Sequence, residues 1–244
     1  MSLGRSVRYL FSIPSNVLMI LGSSLGYFYF AGLSTFALLF VKSHYHASQA
    51  EAELVLALLV GGAVVGTLVG GRVPDILLRR GNLAARVVFP GACYVGAAVA
   101  LIPGLVSSHL FPAVWFEVAG AGLISAANPP IQAARLDVVP AGLWGRAQSA
   151  LTVVRSLAQA LAPLVFGGVS DLVAGIVPKQ APIGTHAPAP SSHTATGLQV
   201  TFLIMLATLL AAGVFLFRAR RTFASDVASA AASEESPEPP PRGR

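Results

Sequence analysis

From Pro14 to Val41 the chain carries no charged residue, and five further stretches are nearly as apolar: about Leu54 to Val69, Arg86 to Val106, Leu110 to Ala134, Arg146 to Val177 and Leu198 to Phe217. A helix needs about 20 such residues to cross a hydrocarbon core of about 30 Å, and in lipid it must satisfy its backbone hydrogen bonds within itself. The runs therefore predict an all-α membrane protein with six transmembrane helices and the lipid bilayer as its solvent. Only 11% of residues are charged, against about 25% in soluble domains. A net charge of +6 would suggest nucleic acid in a soluble chain. Here the basic residues lie in the gaps between apolar runs, so no nucleic-acid partner is expected.

The placement of those charges predicts topology. Short cytoplasmic loops carry the Lys and Arg excess. With the six spans in place, every Lys and Arg except Lys42 and Lys179 falls on one side, so both termini are expected in the cytoplasm. Residues 1–13, with Arg5 and Arg8 among apolar neighbours, read as an interfacial segment. They do not read as a signal peptide, because the following run is too long for one and lacks a small-residue cleavage site. Residues 14–222 form the transmembrane domain. The Ala/Ser/Glu/Pro-rich stretch 223–244 reads as a disordered tail. Lys42 to Glu53, Ser107 to His109 and Pro178 to Thr196 are the outer segments. Cys93 is the only cysteine, so neither an intrachain disulfide nor a cysteine metal site can form. His44 and His46, with Glu51 and Glu53 nearby, do not amount to a metal site without ligand geometry. No cofactor is expected.

Small residues recur at helical contact spacing within the spans. Gly62, Gly66 and Gly70 share one face of the second span, and Ala92, Gly96 and Ala100 share one face of the third. Such faces let backbones approach closely, which drives helix association where the hydrophobic effect cannot. They suit plain packing, or a sliding contact between transporter halves.

Between the second and third spans lies Gly70 to Gly81, a basic hinge of arginines, glycines, one proline and one aspartate. Its Gly71-x-x-x-Asp75-x-x-x-Arg79-Arg80 pattern resembles the loop motif of the major facilitator superfamily, in the copy found between helices eight and nine. Ile76 stands where a basic residue is usual and Leu78 where a glycine is usual. Ala162-Pro163-Leu164-Val165-Phe166-Gly167-Gly168 is similar to the proline and paired-glycine pattern of the family's fifth and eleventh helices. Arg135-Leu136-Asp137-Val138-Val139-Pro140, with Arg146 after it, is similar to the charged connection between helices ten and eleven. The resemblance covers about residues 5–222 and maps onto the C-terminal six-helix half, helices seven to twelve. It implies secondary active transport of a small-molecule substrate, in a fold built from two six-helix halves. The partner it implies is a missing N-terminal half or a second copy. In that setting Gly71, Asp75, Arg79 and Arg80 are gating candidates, with Asp75 acting either in a gate-closing ion pair or as a helix cap.

Polar residues inside spans are costly and mark function by default. Glu117 lies about 10 Å into the fourth span at 1.5 Å per residue, where an unpartnered carboxylate favours its protonated form. It is the proton-coupling candidate, or else a neutral acid bonded to a neighbouring helix. Asn128, followed by Pro129 and Pro130, frees backbone carbonyls as broken helices do at binding sites, or marks a kink. In the first span Ser23, Ser24, Tyr27, Ala31, Ser34 and Thr35 form one stripe, and the resemblance places that helix against the central cavity. Ser24, Tyr27, Ser34 and Asn128 are thus cavity-lining candidates, although the hydroxyls can also bond their own backbone. Asp137, Arg146, Arg155 and Asp171 read as charged helix-boundary residues, with Arg155 snorkelling to the cytoplasmic face. No His-Glu-x-x-His or nucleophile-elbow pattern is present, so an enzyme is not expected. The expected function is solute transport across the cell membrane, proton-coupled efflux being one form of it. The competing reading is a truncated or non-transporting scaffold that needs a partner half.

Overall fold

The computed structural model describes residues 3–176 and 192–235, and these are helical almost throughout. The helices are α1 (Leu3–Ser12), α2 (Pro14–His44), α3 (Gln49–Arg79), α4 (Ala85–Val106), α5 (Leu110–Ala126), α6 (Asn128–Asp137), α7 (Trp144–Ile176) and α8 (Ser192–Glu235), with one 3₁₀ turn at Ala141–Leu143. Six spans result, because α5 and α6 together form the fourth. The break between them falls where Pro129 and Pro130 have no N–H to donate to preceding carbonyls.

Two expectations need correction. The basic stretch after Gly70 is not a hinge outside the helix: α3 continues through Pro74 to Arg79. It stops because Gly81 adopts φ +87°, with Gly81 N–H on the Leu78 carbonyl and Asn82 N–H on the Leu77 carbonyl. This paired bond at a left-handed glycine is a standard helix terminator. The tail is not disordered from residue 223 either, since α8 runs on to Glu235. Phe223 and Ala230 are buried, and the Asp226 carboxylate accepts from Ser15 N (3.0 Å) and Ser15 Oγ (2.5 Å). It thereby caps the first turn of α2, whose own N-cap residue, Ile13, supplies no side-chain bond. Residues 236–244 and most of the outer segment from Pro178 lie outside the described residues.

Helix adjacency runs α3–α5–α4–α8–α2–α7, with α7 also touching α8. The α3–α5 seam is backbone on backbone. A Cβ on Gly66 would sit 2.0 Å from the Gly122 carbonyl oxygen, and one on Gly70 2.0 Å from that of Ala126. The face expected on α4 is displaced by one residue. Gly91, not Ala92, meets α8, at Phe217 and the Gly213 carbonyl, while Ala92 is exposed. One residue is a 100° turn, and the α4 surface carrying Gly91, Tyr94, Ala98 and Leu101 is the buried one.

Burial is uneven among the spans. In α2, α4, α5–α6 and α8, 44–50% of the most apolar window is buried, against 11% in α3 and 17% in α7. These two helices therefore present apolar surface that the other described residues do not cover.

Candidate functional site

The break between α5 and α6 opens a polar vestibule of about 150 Å³, lined by Gly26, Tyr27, Phe30, Tyr94, Ile124, Ser125 and Asn128. Tyr94 reaches α2 because Gly26 leaves room for its ring; a Cβ there would lie 2.4 Å from the phenol. Phe166 of α7 seats against Gly32 of α2 and joins a ring cluster with Phe28, Tyr29, Phe36 and Phe202. Nearer its start α7 carries Gln148, Thr152, Arg155 and Gln159, spaced four, three and four residues apart and hence on one face.

Arg155 stands within this stripe. It lies about 16 Å along α7 from Trp144, and its guanidinium carbon sits 4.2 Å from the centre of the Tyr27 ring, a cation–π contact. Of the cavity candidates, Tyr27 and Asn128 line this vestibule. Ser24 is buried, and its Oγ has no hydrogen-bond partner among the described residues. Ser34 bonds the Ala31 carbonyl and lines a separate apolar groove of about 250 Å³ between α2 and α3, with Leu56, Val60 and Thr67. Ser23 and Thr35 likewise bond carbonyls of their own helix.

Glu117 faces elsewhere. It is 5% exposed and packs near Gly104 of α4, with Oε1 3.5 Å from the Tyr45 hydroxyl. That hydroxyl donates to the Gly104 carbonyl at 2.6 Å, His44 Nε2 is 3.0 Å from the Ser107 carbonyl, and Gln199 donates to that of Leu105. Together these side chains satisfy the terminal carbonyls of α4, which have no partner within the helix. Glu117 thus belongs to a polar cluster at the end of the bundle where α4 terminates.

At the opposite end of the bundle Asp75 pairs with Arg86 (3.6 Å), not with Arg79 or Arg80. Arg86 also bonds Asp137 at 2.5 Å, tying α3, α4 and α6 together. Arg79 and Arg80 are exposed, and a Cβ on Gly71 would meet nothing closer than Pro129 at 4.0 Å. Arg146 lines a pocket with Tyr9, Pro140 and Ser233, and Asp171 is exposed near the C-terminal end of α7. Sequence reasoning treated Arg86 only as a topological charge and passed over Tyr94, Ser125 and the α7 polar stripe. The stripe's spacing was the signal that could have revealed it.

No family model matches this chain, and no curated protein does. Solved structures do. A bacterial homolog of the human lysosomal transporter Spinster, in an inward-facing unoccupied conformation, superposes with a TM-score of 0.79 at 25% identity over 91% of this chain. The homolog's inward-facing occupied structure gives a TM-score of 0.71 at 23% identity over 87%. In each case the match spans 50% of the solved chain.

Proposed function

We propose that this chain, which has the fold of one half of a major-facilitator-type transporter, works as the C-terminal half of a twelve-helix secondary transporter of a small solute. The observation that carries this reading is the exposure of α3 and α7. Only 11% and 17% of the windows of these two apolar membrane helices are buried, as in faces awaiting a second six-helix half. That half is the remainder of a longer chain or a second copy. Transport in the Spinster homolog, a protein whose length this chain half covers, supports the same reading.

In this proposal the protein resides in the cell membrane with both termini in the cytoplasm, following the charge asymmetry of the loops. An impermeant thiol reagent applied to intact cells then labels Ser108→Cys and spares Arg80→Cys. Glu117 is the proposed proton-coupling group, acting through the Tyr45 hydroxyl at the outer end. The test is reconstitution. The chain alone is expected to give no saturable uptake, and the chain joined to its other half is expected to accumulate solute against a gradient. Glu117→Gln keeps shape and hydrogen-bonding capacity but cannot titrate, so pH-driven accumulation is lost while exchange down a gradient persists. Saturable uptake by a monomeric isolated chain refutes the half-transporter reading, and pH-driven accumulation by the Gln variant refutes the coupling role.

A further inference from the structure

Two arginines lie near the vestibule, one against its Tyr27 and one in a separate pocket, and no carboxylate lies within ion-pairing distance of either among the described residues; the ion pairs found there belong to Arg86. Arg155 is stacked on Tyr27. A guanidinium held by its face keeps its fork of N–H donors free in the plane, and these make no hydrogen bond among the described residues. Arg135, on α6, is 3% exposed. It gives Nε to Asn16 Oδ1 (3.3 Å) and Nη2 to the Ala147 carbonyl (2.8 Å), both neutral acceptors. Its Nη1 has no partner among the described residues, and the side chain lines a pocket of about 180 Å³ with Gln132, Trp144 and Gln148. The two positive charges lie close enough to oppose each other. Buried charge without compensation is costly, and a like-charged neighbour adds to the cost.

We infer that this site binds an anionic oxyacid group, a carboxylate or a phosphate, with the Arg155 fork as its principal contact and Arg135 supplying a second positive charge behind it. Planar, bidentate recognition of such groups is what a guanidinium does better than any other side chain. The inference deepens the transport reading and rests on the vestibule being a solute path. The same group could arrive on a soluble organic anion or as the headgroup of an anionic lipid.

The two sources and the inference itself are separated by equilibrium binding, which needs no transport. The purified chain, with Trp115→Phe so that Trp144 beside Arg135 reports alone, is placed in phosphatidylcholine nanodiscs. It is titrated with inorganic phosphate and with acetate over a constant chloride background, and with tetraethylammonium as the cationic control. Saturable changes in Trp144 emission are expected with one or both anions and none with the cation. Arg155→Gln weakens binding by about tenfold or more, as loss of charge-assisted hydrogen bonds requires, and Arg155→Lys restores part of it. If nanodiscs containing phosphatidylglycerol show the Arg155-dependent change without added anion and no further response to phosphate, the occupant is a headgroup. Arg155 is partly exposed and its variants are expected to fold, which thermal unfolding of each verifies. Binding that Arg155→Gln leaves unchanged, or no Arg155-dependent change with either source, overturns the inference. Failed transport with intact anion binding would instead count against the half-transporter reading.

Discussion

The two helices with the least burial are joined to the bundle by opposite kinds of seam. Helix α3 lies on α5 through Gly62, Gly66 and Gly70, where backbone meets backbone at four-residue intervals. Helix α7 lies on α2 through side chains: Phe166 fills the Gly32 notch, and nearer the start of α7 the Arg155 guanidinium rests on the Tyr27 ring. At its three glycines the first seam has no room for a Cβ. The second is held by side chains that can change rotamer, and Tyr27 of that seam also lines the vestibule. A close glycine seam makes a rigid pair of helices. A seam made of side chains can yield.

The strongest test of this contrast is Gly66→Leu. Its side chain would enter the Gly122 backbone, which cannot step aside as a rotamer can. The cost should exceed the ~1–3 kcal/mol of ordinary overpacking, and monodisperse protein should be lost in size-exclusion chromatography. Gly61→Ala, where an added Cβ meets nothing within 4 Å, should stay within about 0.5 kcal/mol of the parent. Equal behaviour of the two variants would show that the seam is not close-packed.

Phe166→Ala should cost about 3–5 kcal/mol in denaturant unfolding by removing a fully buried ring. It should loosen α2 from α7 while leaving α3 on α5, so pairs of cysteines across the two seams should lose crosslinking only between α2 and α7. A smaller effect is expected from Asp226→Ala, which removes the cap on the first turn of α2. Its cost should be about 1 kcal/mol, with faster proteolysis at Arg220 and Arg221. If cleavage there is unchanged, the end of α8 is held by Phe223 and not by the cap. Among the variants that remove a contact, the least effect on stability belongs to Arg155→Gln, about 1 kcal/mol or less for a single cation–π contact.

The number of spans, their order and the all-helical class were legible from apolar run length, since lipid leaves a backbone few alternatives. The α3 glycine face was legible too, because a four-residue repeat of glycine projects onto one side of any helix. Other features were not. Sequence depth put Glu117 and Arg155 inside or near the membrane, but depth is measured along a helix and says nothing of the direction in which a side chain points. Neighbouring helices decide that: α4 and Tyr45 enclose Glu117 at one end of the bundle, while Arg155 comes to rest on the Tyr27 ring. The hinge misled for a related reason. Its charges were read as water-exposed loop, yet α3 carries them as helix until Gly81 supplies the left-handed turn that ends it. The helical end of α8 depended on partners far away in sequence, Ser15 for Asp226 and the core around Phe223. The sequence by itself thus determined that there are six membrane helices and where their charged ends lie, because the solvent imposes those features. Only the tertiary structure decided which polar groups are sealed away and which line a shared space, because that follows from how the helices lean on one another.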